Sequence, residues 1–209
     1  MSALEPREVV LPKNKITDIS SGTNHSFAID SSGRVWSWGL NSFGQTGQPE
    51  GAGGDDASVI NPRVMKSLEG KNITQVTGGH THSLAVTEEG ECLAWGRLDG
   101  YQSGLKVAEL PEENIIVDEN GTPRILTVPT AVENVGKAAY AAAGADFSIL
   151  VNKAGKAFSW GYSANYQTGQ GAMVDLDEPT QIDNTATRNK KLVWAGCGGQ
   201  FGMLASEAA

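Results

Sequence analysis

The stretch "SGTNHSFAIDSSGRVWSWGLNSFGQTGQ", Ser21 to Gln48, sets a polar Asn24-His25-Ser26 cluster between a glycine and an aromatic run. Taken alone, a histidine beside a serine suggests nucleophilic chemistry. The same pattern returns, however, as "GHTHSLAVTEEGECLAWGRLDGYQSG" from Gly79 and as "GADFSILVNKAGKAFSWGYSANYQTGQ" from Gly144. Its Trp-Gly pair recurs at Trp38-Gly39, Trp95-Gly96 and Trp160-Gly161, at intervals of 57 residues (38 to 95) and 65 residues (95 to 160). The glycines Gly33, Gly90 and Gly155 keep both intervals. A fourth copy starts in "WAGCGGQFGMLA", where Gly198, Phe201 and Leu204 stand in the places of Gly144, Phe147 and Leu150. The His-Ser pair is therefore a position in a repeat before it is anything chemical.

Each unit opens with a short apolar run (Ile16 to Ser20, Ile73 to Thr77, Ala138 to Ala142, Leu192 to Gly196), then a glycine, then a second run such as His25 to Ile29. The turns "DSSG", "TEEG" and "NKAG" supply a glycine able to take positive φ, and "RVWSWG", "ECLAWG" and "KAFSWG" return antiparallel. A polar stretch with a Gly-x-x-Gly element, Gly44 to Gly47, and a segment marked by Pro62, Pro129 or Pro179 lead on to the next unit. Four short strands in a repeat of this length describe a propeller blade, which needs neighbours to cover its two apolar faces. The chain reads as all-β: a partial β-propeller over 1–209, with units at about 12–61, 62–128, 129–178 and 179–209, the last incomplete.

Composition agrees. Of 209 residues, 26 are glycine and 19% are charged, which suits a turn-rich β protein better than a helical one. A net charge of −8 argues against direct nucleic-acid binding by this segment, because phosphate contacts need a basic patch. The acidic runs Glu109 to Glu119 and Asp175 to Glu178 read as solvated loops. Two widely separated cysteines, Cys92 and Cys197, suggest neither a metal site nor a disulfide framework, so no cofactor and a reducing, intracellular setting are expected. No apolar run reaches the roughly 20 residues of a membrane helix. No Gly-x-Ser-x-Gly, His-Glu-x-x-His or Gly-x-x-x-x-Gly-Lys pattern is present, which leaves an enzyme reading without a nucleophile, base or metal cluster.

At "DSSGRVWSWGLNSFGQTGQ" and "NKAGKAFSWGYSANYQTGQGAMVDLDEPTQI" the chain resembles the regulator of chromosome condensation family. Asn41, Gly44, Gln45 and Gly47 fill that family's Trp-Gly-x-Asn-x-x-Gly-Gln-x-Gly element in the first unit. Later units keep Gln102 with Gly104 and Gln167 with Gly169, but Leu98 and Ser163 replace the asparagine and Tyr101 and Tyr166 the glycine. The resemblance implies a seven-bladed propeller of ~400 residues, of which this chain would supply about three and a half blades, a C-terminal half awaiting its N-terminal complement. It further implies a nuclear, chromatin-associated exchange factor that binds the small GTPase Ran on one face and histones or DNA on the other. Exchange would work by holding the nucleotide-free GTPase more tightly than the loaded form, with no bond made. The same family's propellers also serve as non-exchanging scaffolds in ubiquitin ligases and signalling proteins, and fold alone does not separate the two.

Under the exchange reading, the loop tips after each recurring glycine form the GTPase-binding face. The candidates are His80, Thr81 and His82, then Asp146 and Asn24, with Arg97 able to reach an acidic surface. His25 and His82 occupy the repeat's usual histidine position, where a hydrogen bond within the scaffold is the competing role. His80 and Thr81 depart from that position and are expected to be exposed.

Overall fold

The computed structural model describes residues 8–11, 15–54 and 57–208; residue 12, expected to open the first unit, lies outside them. The described residues form four antiparallel sheets. The first runs β1 (Ile16–Ser21), β2 (His25–Asp30), β3 (Val35–Leu40), β4 (Ser58–Val64) in spatial order. The second contains β5 (Ile73–Gly78), β6 (His82–Thr87), β7 (Cys92–Arg97), β8 (Ile115–Val117) and β9 (Pro123–Ala131), in the order β5-β6-β7-β9-β8. The third is β10 (Ala138–Ala143), β11 (Phe147–Asn152), β12 (Ala157–Gly161), β13 (Leu176–Gln181), and the fourth only β14 (Leu192–Cys197) with β15 (Gly202–Ser206). First strands from all four blades line one concave wall, including Ile19, Gln75, Tyr140 and Trp194.

The hydrophobic core lies between the blades, not within them. Side chains on a strand alternate between faces, so β6 sends Leu84 and Val86 into a cluster with Ala141, Leu150 and Trp160 of the third blade. Its Ala85 joins Phe27, Ile29, Met65 and Trp95 on the side of the first. β11 divides the same way, with Phe147, Ile149 and Val151 facing Leu192 and Ala195 of the fourth blade. Strands β6 and β11, covered on both faces, are buried at all six positions, whereas β15 has none buried.

The β2-β3 turn shows how the hairpins are closed. Asp30 ends β2 and accepts hydrogen bonds from the Ser32 and Arg34 amides, the Ser32 hydroxyl, and Trp36 Nε1 at 2.9 Å. Burial alone would raise its pKa, but those bonds prevail and hold the carboxyl well below the usual carboxylate range. Asn152 takes the same place in the third blade, receiving the Ala154 and Lys156 amides.

Two expectations need correction. The outer strands run through Pro62, Pro129 and Pro179, so the breaks between blades fall after Val64, Ala131 and Gln181 instead of at 61, 128 and 178. Proline is tolerated there because β4, β13 and this part of β9 have no partner on their outer edge. The acidic stretches are also not loops throughout: Ile115–Val117 pairs with β9 as a hairpin, and Leu176–Gln181 is β13. Asp118 closes that hairpin by accepting the Asn120 and Thr122 amides.

Candidate partner-binding face

The loops that enter β2, β6, β11 and β15 meet at one end of the propeller. They surround a concavity of ≈ 220 Å³ whose lining includes Gly22, Thr23, Gly79, Gly144, Ala145 and Gly199. Adjacent loops are tied by backbone bonds, from the Thr23 amide to Gly79 O at 3.0 Å and from the His80 amide to Ala145 O at 3.1 Å. The rim is therefore a linked series of loops with side chains standing on it.

Of the predicted contacts, Asn24 and His80 are exposed on this rim and Asp146 is half-buried. Thr81 is not exposed: 4% of its surface is accessible, although Asn24 and Asp146, which hold the same place in the first and third blades, are exposed and half-buried. His82 is also withdrawn, at 0% exposure, into the joint with the next blade. Arg97 is only partly free. Its guanidinium pairs with Asp99 and stands 5.2 Å from the Phe43 ring centroid, while Arg124 covers the same ring at 5.3 Å and lies 3.7 Å from Asp99.

The His-Ser pairs have a structural explanation. His25 Nε2 lies 2.8 Å from Ser83 Oγ across the first joint, and His82 Nε2 lies 2.8 Å from Ser148 Oγ across the second. Each serine hydroxyl donates its single proton to a loop carbonyl, Gln45 O at 2.8 Å or Gln102 O at 2.9 Å. Each imidazole must therefore donate through Nε2–H, leaving Nδ1 unprotonated and without a partner. A general base would need the opposite arrangement, with a bare nitrogen facing the serine proton. Trp95 Nε1 and Trp160 Nε1 donate to the same carbonyls at 3.1 and 2.9 Å, so histidine, serine, loop carbonyl and tryptophan form one relay across each joint. Burial, with repulsion from His80, brings the His25 pKa down to about 4. Burial, with repulsion from His25 and His80, brings His82 down to about 3. Both rings are neutral at ordinary pH.

Burial pushes the thiols of Cys92 and Cys197 up to about 12, which leaves them protonated and unreactive. Among the described residues no group of three His, Cys, Asp or Glu side chains gathers as a metal site.

Two residues noted in the sequence only as departures from the repeat also stand on this end. Tyr101 and Tyr166 follow the Trp-Gly strands in the slot that Gly44 fills in the first blade. They keep its left-handed backbone, at φ 60° and 59° against 66°, with about half of each side chain exposed. A tyrosine at a glycine slot was the available signal, since strained backbone is retained most often where a side chain has work to do.

The chain matches the RCC1-like domain over residues 1–204. It belongs to that family. It is 37% identical over 206 residues to protein pim1 of Schizosaccharomyces pombe, covering 98% of this chain and 38% of pim1. It is 37% identical over 204 residues to the guanine nucleotide exchange factor SRM1 of Saccharomyces cerevisiae, covering 97% of this chain and 42% of SRM1. The crystal structure of Prp20p from Saccharomyces cerevisiae, described together with its binding to Gsp1p and histones, superposes with a TM-score of 0.84 at 37% identity. That match covers 90% of this chain and 42% of Prp20p. The chain thus spans about two-fifths of the length of these relatives.

Proposed function

We propose that this chain is part of a guanine-nucleotide exchange factor for a Ran-type small GTPase, acting in the nucleus on chromatin. The observation that carries the reading is the 37% identity to the exchange factor SRM1 along 97% of the chain. Prp20p, described as binding Gsp1p and histones, supports the same pair of partners, a GTPase and chromatin. The GTPase would sit on the rim that carries Asn24, His80 and Asp146, with Arg97, Tyr101 and Tyr166 beside them. Polar, backbone-braced tips suit this task. Exchange needs a surface that fits the nucleotide-free GTPase better than the loaded one, and a rim that does not rearrange loses little of that difference to its own ordering.

The test is release of a fluorescent guanine nucleotide from Ran by the whole protein containing this chain. Catalytic amounts should accelerate release, and His80→Ala with Asp146→Ala should slow it several-fold while leaving the melting temperature within a few degrees. Unchanged release with stable Ran binding would instead make the propeller a non-exchanging scaffold.

A further inference from the structure

The turn after each Trp-Gly strand keeps one backbone but not one side chain. The Gly44 amide donates to Asn41 O and the Gly47 amide to Gly44 O; Tyr101 with Gly104, and Tyr166 with Gly169, repeat both bonds. All three middle residues are left-handed. In the first blade the β8-β9 hairpin closes over the bare glycine, since a Cβ on Gly44 would come within 2.9 Å of Ile125 Cγ2. Beside it the guanidiniums of Arg97 and Arg124 lie over the Phe43 ring. In the second and third blades the turn carries tyrosine, 49% and 52% exposed, at a backbone penalty that glycine escapes. Tyr101 stands over a joint between two complete blades, so the equal exposure of Tyr166 does not come from the short fourth sheet. Among the described residues no ring or guanidinium stacks on either tyrosine, and neither hydroxyl is hydrogen-bonded.

We propose that Tyr101 and Tyr166 are contact residues for the GTPase, each offering its open ring face to an arginine or lysine side chain of that partner. Arg124 over Phe43, at 5.3 Å, is the same contact made within the chain. The inference rests on the reading of this end as the GTPase surface. A Cβ on Gly161 would lie 2.6 Å from Asp146 O and 3.3 Å from Gln102 Cα, so Tyr101, next to Gln102, stands beside the Asp146 tip. Asn165 Nδ2 donates to Gln200 Oε1 at 3.0 Å, which sets Tyr166 beside the following tip. Both tyrosines follow the third strand of their blade and so lie outside the ring of polar tips around the concavity. A tyrosine face attracts a cation through its π electrons and covers the aliphatic stem below it. The net charge of −8 favours a basic segment in the partner. Such contacts hold the loaded and the empty GTPase alike, so they add to capture and leave turnover to the polar tips.

The experiment follows release of a fluorescent guanine nucleotide over a range of Ran concentrations, using the whole protein that contains this chain. Tyr101→Leu with Tyr166→Leu keeps apolar bulk but removes both π faces, and should raise KM ~10-fold with kcat unchanged. Tyr101→Phe with Tyr166→Phe keeps the faces and should stay within ~2-fold of the parent in both constants. Both variants retain a side chain at the left-handed turn and should melt within a few degrees of the parent, which separates partner contact from folding. An unchanged KM in the leucine variant overturns the proposal, and so does an equal rise in the phenylalanine variant or a loss confined to kcat. A parent protein that releases no nucleotide overturns the exchange reading, and this inference with it.

Discussion

Tyr166 holds a left-handed backbone that glycine would adopt without penalty, and its ring is half in solvent. Tyr166→Gly removes strain of ~1 kcal/mol but loosens the unfolded chain, so urea unfolding should show a net gain of ~0.5 kcal/mol. A loss would mean that the ring packs more usefully than its exposure indicates. The serines of the relay behave in the opposite way. Ser83→Ala or Ser148→Ala strands an imidazole N–H in a buried joint and should cost ~1–3 kcal/mol, whereas Asn24→Ala on the rim should change stability by under ~0.5 kcal/mol. Urea midpoints measured side by side would separate the two classes. This contrast was only partly legible in the sequence. The repeat marks His25 and His82 as scaffold positions, but nothing local reveals that Thr81 is buried, since Asn24 and Asp146 hold the same place and make the same backbone bond yet are exposed and half-buried. His80 is on the surface, as its place outside the repeat's histidine slot suggested, whereas Thr81, expected there for the same reason, is buried.

At the level of strands and joints, the Trp-Gly spacing and the turn glycines made the blades readable, because both are conformational requirements written into residue type. The blade breaks were misplaced by three residues at each proline, since proline at an unpaired edge looks the same in sequence as proline in a linker. The β8-β9 hairpin was missed because its acidic flanks mask three apolar residues, Ile115–Val117. The joints also predict a pH response. His25 and His82 bind a proton in the unfolded chain near pH 6.5 but in the folded one only near 4 and 3. Their stabilising contribution is thus complete above 6.5 and is lost as pH falls towards those values. The lowered pKa values correspond to contributions on the order of 3 kcal/mol for His25 and on the order of 5 kcal/mol for His82. Urea midpoints should decline between pH 6.5 and 4 with a slope of up to two protons, and His82→Phe, which imitates Phe147 at the third joint, should reduce that slope by one. A flat profile over this range would exclude buried neutral histidines.

For the whole molecule, three complete blades and a two-stranded fourth leave β15 as an open edge with Phe201 and Met203 more than half exposed beside it. Unpaired edges of this kind recruit other strands. The 209-residue chain alone should therefore sediment as concentration-dependent oligomers, and a cooperatively melting monomer at tens of micromolar would contradict this. The relays give a way to watch the arc itself. The Ser83 and Ser148 hydroxyl protons, donated to the Gln45 and Gln102 carbonyls inside the joints, can reach water only when neighbouring blades part. Their exchange rates, read as proton resonances, would time the breathing of the first and second joints separately, while the third, built on Phe147 and Gly202, carries no such clock.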